Sequence, residues 1–238
     1  MFEHTRDRPA HNGFAEPKDR GLPKPGIARS CESGAMGSTT DKERLLAIVL
    51  ANPVARKIVD RAGDLGVSDW YLTAGGVFQT VWNHLDGRDL LAGIKDYDLF
   101  YFEGADLSYA AEDRKIRQAE ALFCDVEAAV ELRNEARVHL WYEDRFGVPG
   151  VPFISCADAI DHFAATTCCV GITRSPAGEL QVYAPHGLDD LFNMVLRPNP
   201  MLAPQEVYEA KAARWQREWP GLTVVPWPDA PREPVPPG

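Results

Sequence analysis

Two aspartates, Asp96 and Asp98, stand directly before the apolar run Leu99–Phe102. The run predicts a β-strand, and because alternate residues of a strand share a face, both carboxylates are expected to point the same way. An Asp-x-Asp pair is more often a solvated loop pair, but two charges leading into an apolar strand favour a bound cation. The pair therefore predicts a sheet that carries a site for one or two cations.

Two further features stand on either side of this pair in the sequence. Gly75 and Gly76 follow the β-prone run Trp70–Ala74 and precede a helical pattern, so they form either a tight turn or a phosphate-binding helix start. Glu131 lies in a strand predicted over residues 126–132, where it is either solvent-facing or a third carboxylate. Carboxylate oxygens suit Mg²⁺ or Mn²⁺. The order of these features predicts a two-metal phosphoryl or nucleotidyl transfer site.

Charge and composition exclude several classes of protein. The 238 residues include 25 basic and 35 acidic side chains, a net charge of −10, which argues against coating nucleic acid by charge alone but permits a locally basic groove. The sequence has no apolar run of the ~18 residues that a membrane span needs, and no signal peptide is evident. The five cysteines show no CxxC spacing, so reduced thiols in a cytoplasmic protein are expected.

The chain is predicted to fold as one α+β domain over residues 41–222, with a mixed sheet flanked by helices and a small C-terminal α/β cover. Residues 1–40, rich in Pro, Gly, Ser and charge, predict a disordered extension, and residues 223–238, with six prolines, predict a disordered tail. Periodicity predicts helices over 41–50, 53–65, 77–85, 112–122, 155–165 and 202–219, and strands over 70–74, 98–102, 126–132, 168–173 and 180–183.

The glycine pair, the Asp-x-Asp segment and the later glutamate together resemble the nucleotidyltransferase fold superfamily, which includes DNA polymerase β and the tRNA CCA-adding enzymes. More narrowly, residues 72–193 are similar to a bacterial family of nucleotidyltransferase-like proteins of unknown substrate. The run Asn134–Trp141, Asn-Glu-Ala-Arg-Val-His-Leu-Trp, is typical of that narrower family. The resemblance implies a nucleotidyltransferase-type mixed sheet within the α+β domain.

The resemblance also implies a metal-dependent reaction that moves a nucleoside monophosphate from a nucleoside triphosphate (NTP) to an unidentified acceptor hydroxyl, with release of pyrophosphate. Under it, Asp96, Asp98 and Glu131 would hold the metals, and Glu131 would also orient or deprotonate the acceptor. The two glycines would cradle the triphosphate, with Lys95 nearby as its charge partner.

Two departures from the CCA-adding enzymes qualify this implication. The chain has Phe78-Gln79 where those enzymes have Arg-Asp, and about a hundred residues follow Glu131, so a tRNA acceptor is not expected. A membrane partner is not expected either, because the sequence has no membrane-spanning run. The Phe78-Gln79 departure leaves a second hypothesis open: a non-catalytic nucleotide- or protein-binding module that retains the fold.

The run Asn134–Trp141 adds further candidate residues. On a helix beginning near Asn134, Asn134 and Arg137 share one face, and both are predicted to bind nucleotide. Arg137 would contact phosphate through its guanidinium, or instead form an ion pair with Glu135, Glu143 or an aspartate of the site. Trp141 and Tyr142 would either stack on a base or, as is commoner for aromatic residues among apolar neighbours, belong to the core.

Overall fold

The structure, a computed structural model, describes residues 40–228. The predicted extension and the end of the predicted Pro-rich tail lie outside the described residues. The helices are α1 (Asp41–Val49), α2 (Pro53–Arg61), α3 (Gly75–Leu85), α4 (Tyr109–Leu122), α5 (Tyr142–Phe146), α6 (Cys156–Asp161), α7 (Asp189–Phe192) and α8 (Gln205–Glu218). Short 3₁₀ helices span Ala62–Leu65, Glu135–Leu140 and Thr166–Cys168.

The strands are β1 (Trp70–Thr73), β2 (Asp96–Tyr101), β3 (Ala129–Asn134), β4 (Gly171–Arg174), β5 (Leu180–Tyr183), β6 (Val195–Leu196) and β7 (Thr223–Val224). The first five form one sheet in the order β3-β2-β1-β4-β5. In it β2 and β3 are parallel and the other pairs antiparallel. This mixed sheet flanked by helices confirms the predicted α+β class.

Helix α3 packs closely against β2, and Gly76 makes this approach possible. A Cβ atom at Gly76 would lie 2.7 Å from Cδ1 of Tyr97, so no larger residue fits without movement. The Tyr97 hydroxyl accepts a hydrogen bond of 2.9 Å from Nδ2 of Asn52, whose side chain also caps α2. These contacts fix the start of β2, and with it the two aspartates, against α3.

The predicted end of the domain at residue 222 requires correction. Strand β7 begins at Thr223 and pairs in parallel with β6, which forms the predicted small C-terminal cover. Beyond it, the Trp227 ring packs on Tyr208 of α8 with centroids 5.8 Å apart. Proline content placed the boundary too early because Val224, which precedes the prolines, and Trp227, which stands between two of them, pack against the core.

Two other expectations concern the membrane and the thiols. Within residues 40–228, none of the helices has the length and apolar character needed to cross a bilayer. The four cysteines in this range are unpaired thiols: Cys124 is exposed, and the other three are buried.

Candidate active site

A cleft of about 620 Å³ lies among the start of α3, strands β2 and β3, the 3₁₀ helix Glu135–Leu140 and helix α8. Its volume is in the range of small-molecule sites in proteins. Five of the eight residues predicted for the site line this cleft: Gly75, Lys95, Asp96, Asp98 and Glu131. The structure therefore brings together the three residues predicted to hold metal and two of the five predicted to bind the nucleotide.

The parallel pairing of β2 with β3 positions the carboxylates. Asp98 is the register partner of Glu131, and Asp96 lies two residues before Asp98 on the same strand face. Burial, followed by repulsion from Asp96, raises the pKa of Asp98 to about 6, although Arg133 and Lys211 oppose the shift. Burial is thus the main cause of the raised pKa, and the neighbouring carboxylates Asp96 and Glu131 add to it.

Glu131 forms an ion pair with Arg133, which lies two residues along the same strand and also lines the cleft. In the described part of the chain, no three Asp, Glu, His or Cys side chains are arranged closely enough to enclose a metal ion. The donors themselves suit a hard divalent cation, because Asp96, Asp98 and Glu131 offer carboxylate oxygens along one wall. For Glu131 to serve as a ligand, its contact with Arg133 would have to be exchanged.

The N-terminal end of α3 borders the cleft at Ala74 and Gly75. Ala74 precedes the helix with φ 51° and ψ −138°, a backbone conformation that is strained for a residue with a side chain. No side chain caps this helix end, and Gly75, its first residue, borders the cleft. The partial positive charge of a helix N-terminus favours an anion there. Gly76, the other predicted phosphate-binding glycine, packs on Tyr97 instead.

Helix α8 contributes cations that the sequence analysis missed. Lys211, Arg214 and Arg217 stand three residues apart, and all line the cleft. The helix is held against α3: the Trp215 ring meets Phe78 at 5.0 Å between centroids. Burial lowers the pKa of Lys211. The spacing of the three basic residues was visible in the sequence. Nothing in the sequence indicated that α8, which lies more than a hundred residues after the aspartates, borders the same cleft.

Besides Gly76, two predicted nucleotide-binding residues, Asn134 and Arg137, are absent from the described lining of the cleft. Arg137 forms a largely buried ion pair with Glu112 of α4, and its Nε donates to the Leu107 carbonyl at 2.9 Å. Arg137 therefore forms an ion pair, but with Glu112 and not with any of the carboxylates predicted as its partners. Asn134 caps the following helix by accepting from the Ala136 N–H at 3.2 Å, and its Nδ2 donates to the Glu103 carbonyl at 2.9 Å.

The prediction identified residues that share a face but not the face that meets the cleft. Residues 135–140 form a 3₁₀ helix with three residues per turn, so Asn134 aligns with Arg137 and Glu135 aligns with Val138. Glu135, Val138 and Trp141 line the cleft, whereas Asn134 and Arg137 do not. Tyr142, predicted to be either a core or a base-stacking residue, is buried and also borders the cleft.

Glu135 is the carboxylate that the sequence analysis did not identify. The residue is only 4% exposed, and its Oε1 has no hydrogen-bond partner among residues 40–228. Burial raises its pKa to about 8; the Arg133 guanidinium counters this and Asp98 adds to it. A glutamic acid that is neutral at pH 7 in a cleft is unusual. The only sequence feature that could have indicated Glu135 is its spacing of three residues from Val138, which in turn lies three residues before Trp141.

Comparison with known proteins gives a consistent result. A family sequence model described as nucleotidyltransferase matches residues 60–224. A solved structure described as revealing a CCA-adding enzyme head domain aligns with a TM-score of 0.64 and 24% identity, covering 80% of this chain and 98% of the other. A structure described as a tRNA-processing enzyme aligns at a TM-score of 0.39 and 17% identity, over 71% of this chain and 44% of the other. Among curated proteins, none gives a significant match.

Proposed function

Because the chain belongs to the nucleotidyltransferase family over residues 60–224, we propose that its cleft transfers a nucleoside monophosphate from an NTP to an acceptor hydroxyl. The observation that supports this most is the register of β2 and β3. It brings Asp96, Asp98 and Glu131 onto one wall of a cleft that also contains the uncapped start of α3. Anionic phosphates and the cations that accompany them suit these two walls.

Asp96, Asp98 and Glu131 are the proposed holders of Mg²⁺ or Mn²⁺. When bound, a divalent cation would neutralise charge on the triphosphate and on the departing pyrophosphate. The raised pKa of Asp98 supports this assignment, because a cation would relieve the crowding of negative charge around it.

Cations and backbone donors of the same cleft are proposed to bind the triphosphate. The N–H of Gly75 and the side chains of Lys95, Lys211 and Arg214 are available for its oxygens, and Arg133 joins them once it leaves Glu131. The acceptor oxygen then attacks the α-phosphorus, and the bond from that phosphorus to the bridging oxygen breaks. Pyrophosphate leaves, and Glu131 takes the hydroxyl proton.

The test measures pyrophosphate release from each of the four NTPs with and without Mg²⁺. We expect release only with the metal, and loss of at least a hundredfold in Asp96→Ala and Asp98→Ala. Asp113→Asn, which alters an exposed ion pair on α4, is the control and should retain wild-type activity. Full activity in both cleft variants would overturn the assignment.

The acceptor is resolved by supplying RNA (tRNA included), small hydroxylated metabolites and the protein itself, and by following transfer of a labelled nucleotide. We expect the acceptor in the cytoplasm, where NTPs are abundant. The observed Glu131–Arg133 ion pair specifically supports the second hypothesis, a non-catalytic nucleotide-binding module. In this pair the carboxylate of Glu131, one of the three proposed metal ligands, is bound to Arg133. Tight NTP binding without pyrophosphate release under any of these conditions would favour that module.

A further inference from the structure

We propose that Glu135 hydrogen-bonds the edge of a nucleobase, and that the apolar end of the cleft around it is the base-binding pocket for the NTP. This inference rests on the proposed function, since it assigns the base where that function assigns only the phosphates and the metal. It gives a role to a buried acid that the proposed transfer chemistry does not use.

Glu135 is placed to meet a ligand. It shares a face of the 3₁₀ helix with Val138 and Trp141, all three line the cleft, and the side chain is almost fully buried. Its Oε1 nevertheless has no partner within the described residues. Buried polar atoms in folded proteins are nearly always hydrogen-bonded, so an unpaired oxygen in a residue that lines a cleft indicates that the partner comes from outside the chain.

The surroundings of Glu135 are those of a pocket for a flat, mostly apolar ring. Val138, Tyr142, Phe153 and Ala159 form a small buried cluster at this end of the cleft, and partly buried aromatic side chains pack against it. All four line the cleft. Aromatic walls with few polar groups bind a planar base by stacking, while a positioned polar group fixes its orientation.

The chemistry of the carboxyl group favours a nucleobase over other apolar ligands. The charged groups near it are Arg133 and Asp98, and the Cys156 thiol is a further titratable neighbour. With its raised pKa, Glu135 carries a proton near pH 7 and offers one donor and one acceptor side by side. Such adjacent pairs match the edges by which bases are recognised. An aliphatic ligand would leave Glu135 unpaired, and a sugar would bring hydroxyls into an apolar pocket.

The test compares ligands with and without a base. Calorimetry on the full chain with Mg²⁺ measures the Kd of ATP, CTP, GTP, UTP and inorganic tripolyphosphate. We expect Glu135→Leu to weaken the best-bound NTP about tenfold and to leave tripolyphosphate binding within twofold. Glu135→Gln preserves one donor and one acceptor and should stay within threefold of the wild type. Glu143→Leu, at an exposed position on α5, should change neither ligand.

Each outcome is decisive. Unchanged NTP affinity in Glu135→Leu, or equal weakening of NTP and tripolyphosphate, would overturn the inference, the second because it signals a structural role. Glu135→Ala replaces the leucine variant if that variant fails to fold. If the wild type binds tripolyphosphate and NTPs equally well, the base pocket is refuted while the phosphate site stands. If it binds neither, the proposed function fails and the base pocket with it.

Discussion

Replacing Glu135 with glutamine should stabilise the protein, and increasingly so as pH rises. The pKa of Glu135 is raised in the fold from 4.5 to about 8, mainly by burial. The folded chain therefore holds a proton that the unfolded chain has released between these two values. Stability from this group is fully present below pH 4.5 and is lost as pH rises through 8. Glutamine is neutral in both states and has no such loss.

The magnitude follows from the two pKa values. Each pKa unit corresponds to about 1.4 kcal/mol, so ionisation of Glu135 lowers the free energy of unfolding by about 3 kcal/mol at pH 7 and about 5 kcal/mol above pH 9. The side chain is 4% exposed, so solvent screens little of this. With a urea m-value of about 2 kcal/mol/M, the difference at pH 7 moves the unfolding midpoint by roughly 1.5 M.

The assay is urea denaturation of wild type and Glu135→Gln at pH 5, 7 and 9. The two proteins should be similar at pH 5, and the gap should widen with pH; other titrating groups contribute equally to both and cancel. Glu120→Gln, an exposed glutamate on α4, is the matched control, and its stability should stay within about 0.5 kcal/mol of the wild type. A gap that does not change between pH 5 and 9, or a glutamine variant less stable at pH 9, would refute the reasoning.

Three further predictions concern residues around the cleft. Gly76→Ala should lower the free energy of unfolding by about 2 kcal/mol because the added Cβ would press on the Tyr97 ring. Gly75→Ala should lower it less, because its Cβ meets only the flexible side-chain amide of Gln79. The urea unfolding midpoints of the two variants test this difference. Arg137→Gln should lower the free energy of unfolding by about 3 kcal/mol, because it leaves the buried Glu112 without its partner. Calorimetry on the folded variant should show unchanged NTP affinity. A loss of affinity alongside the loss of stability would instead place the Arg137 guanidinium at the cleft. Binding of Mg²⁺–NTP should weaken as pH falls through about 6, where Asp98 takes up a proton, and a midpoint near the ordinary 3.8 would contradict the role of burial.

The α+β class and the grouping of the carboxylates followed from local patterns. A strand repeats every two residues, so Asp96 and Asp98 had to share a face once the apolar run after them formed a strand. Glu131 also lies in an observed strand, and its pairing beside Asp98 was expected. These inferences need only the period of an element and the side of it that is apolar.

The residues that sequence reasoning misplaced depend on finer or more distant features. Asn134 and Arg137 were assigned to the cleft because they share a face, but Glu135 and Val138 share a neighbouring face, and that face lines the cleft. A period of three residues aligns both pairs equally well, so local spacing does not choose between the two faces. The packing of the segment beside β3 and α5 does.

The sequence alone thus determined which acidic groups β2 and β3 provide. These are carboxylates that follow the two-residue period of a strand beside an apolar core. The tertiary structure decided which charges oppose them. Lys211 and Arg214 reach the cleft because Trp215 packs on Phe78 and because the Trp219 Nε1 donates to Asn83 at 3.0 Å, contacts that span more than 130 residues of chain. A periodic pattern specifies which face of an element is buried, but the partner that buries it is set by long-range packing, and only that packing turns two sets of surface charges into one site.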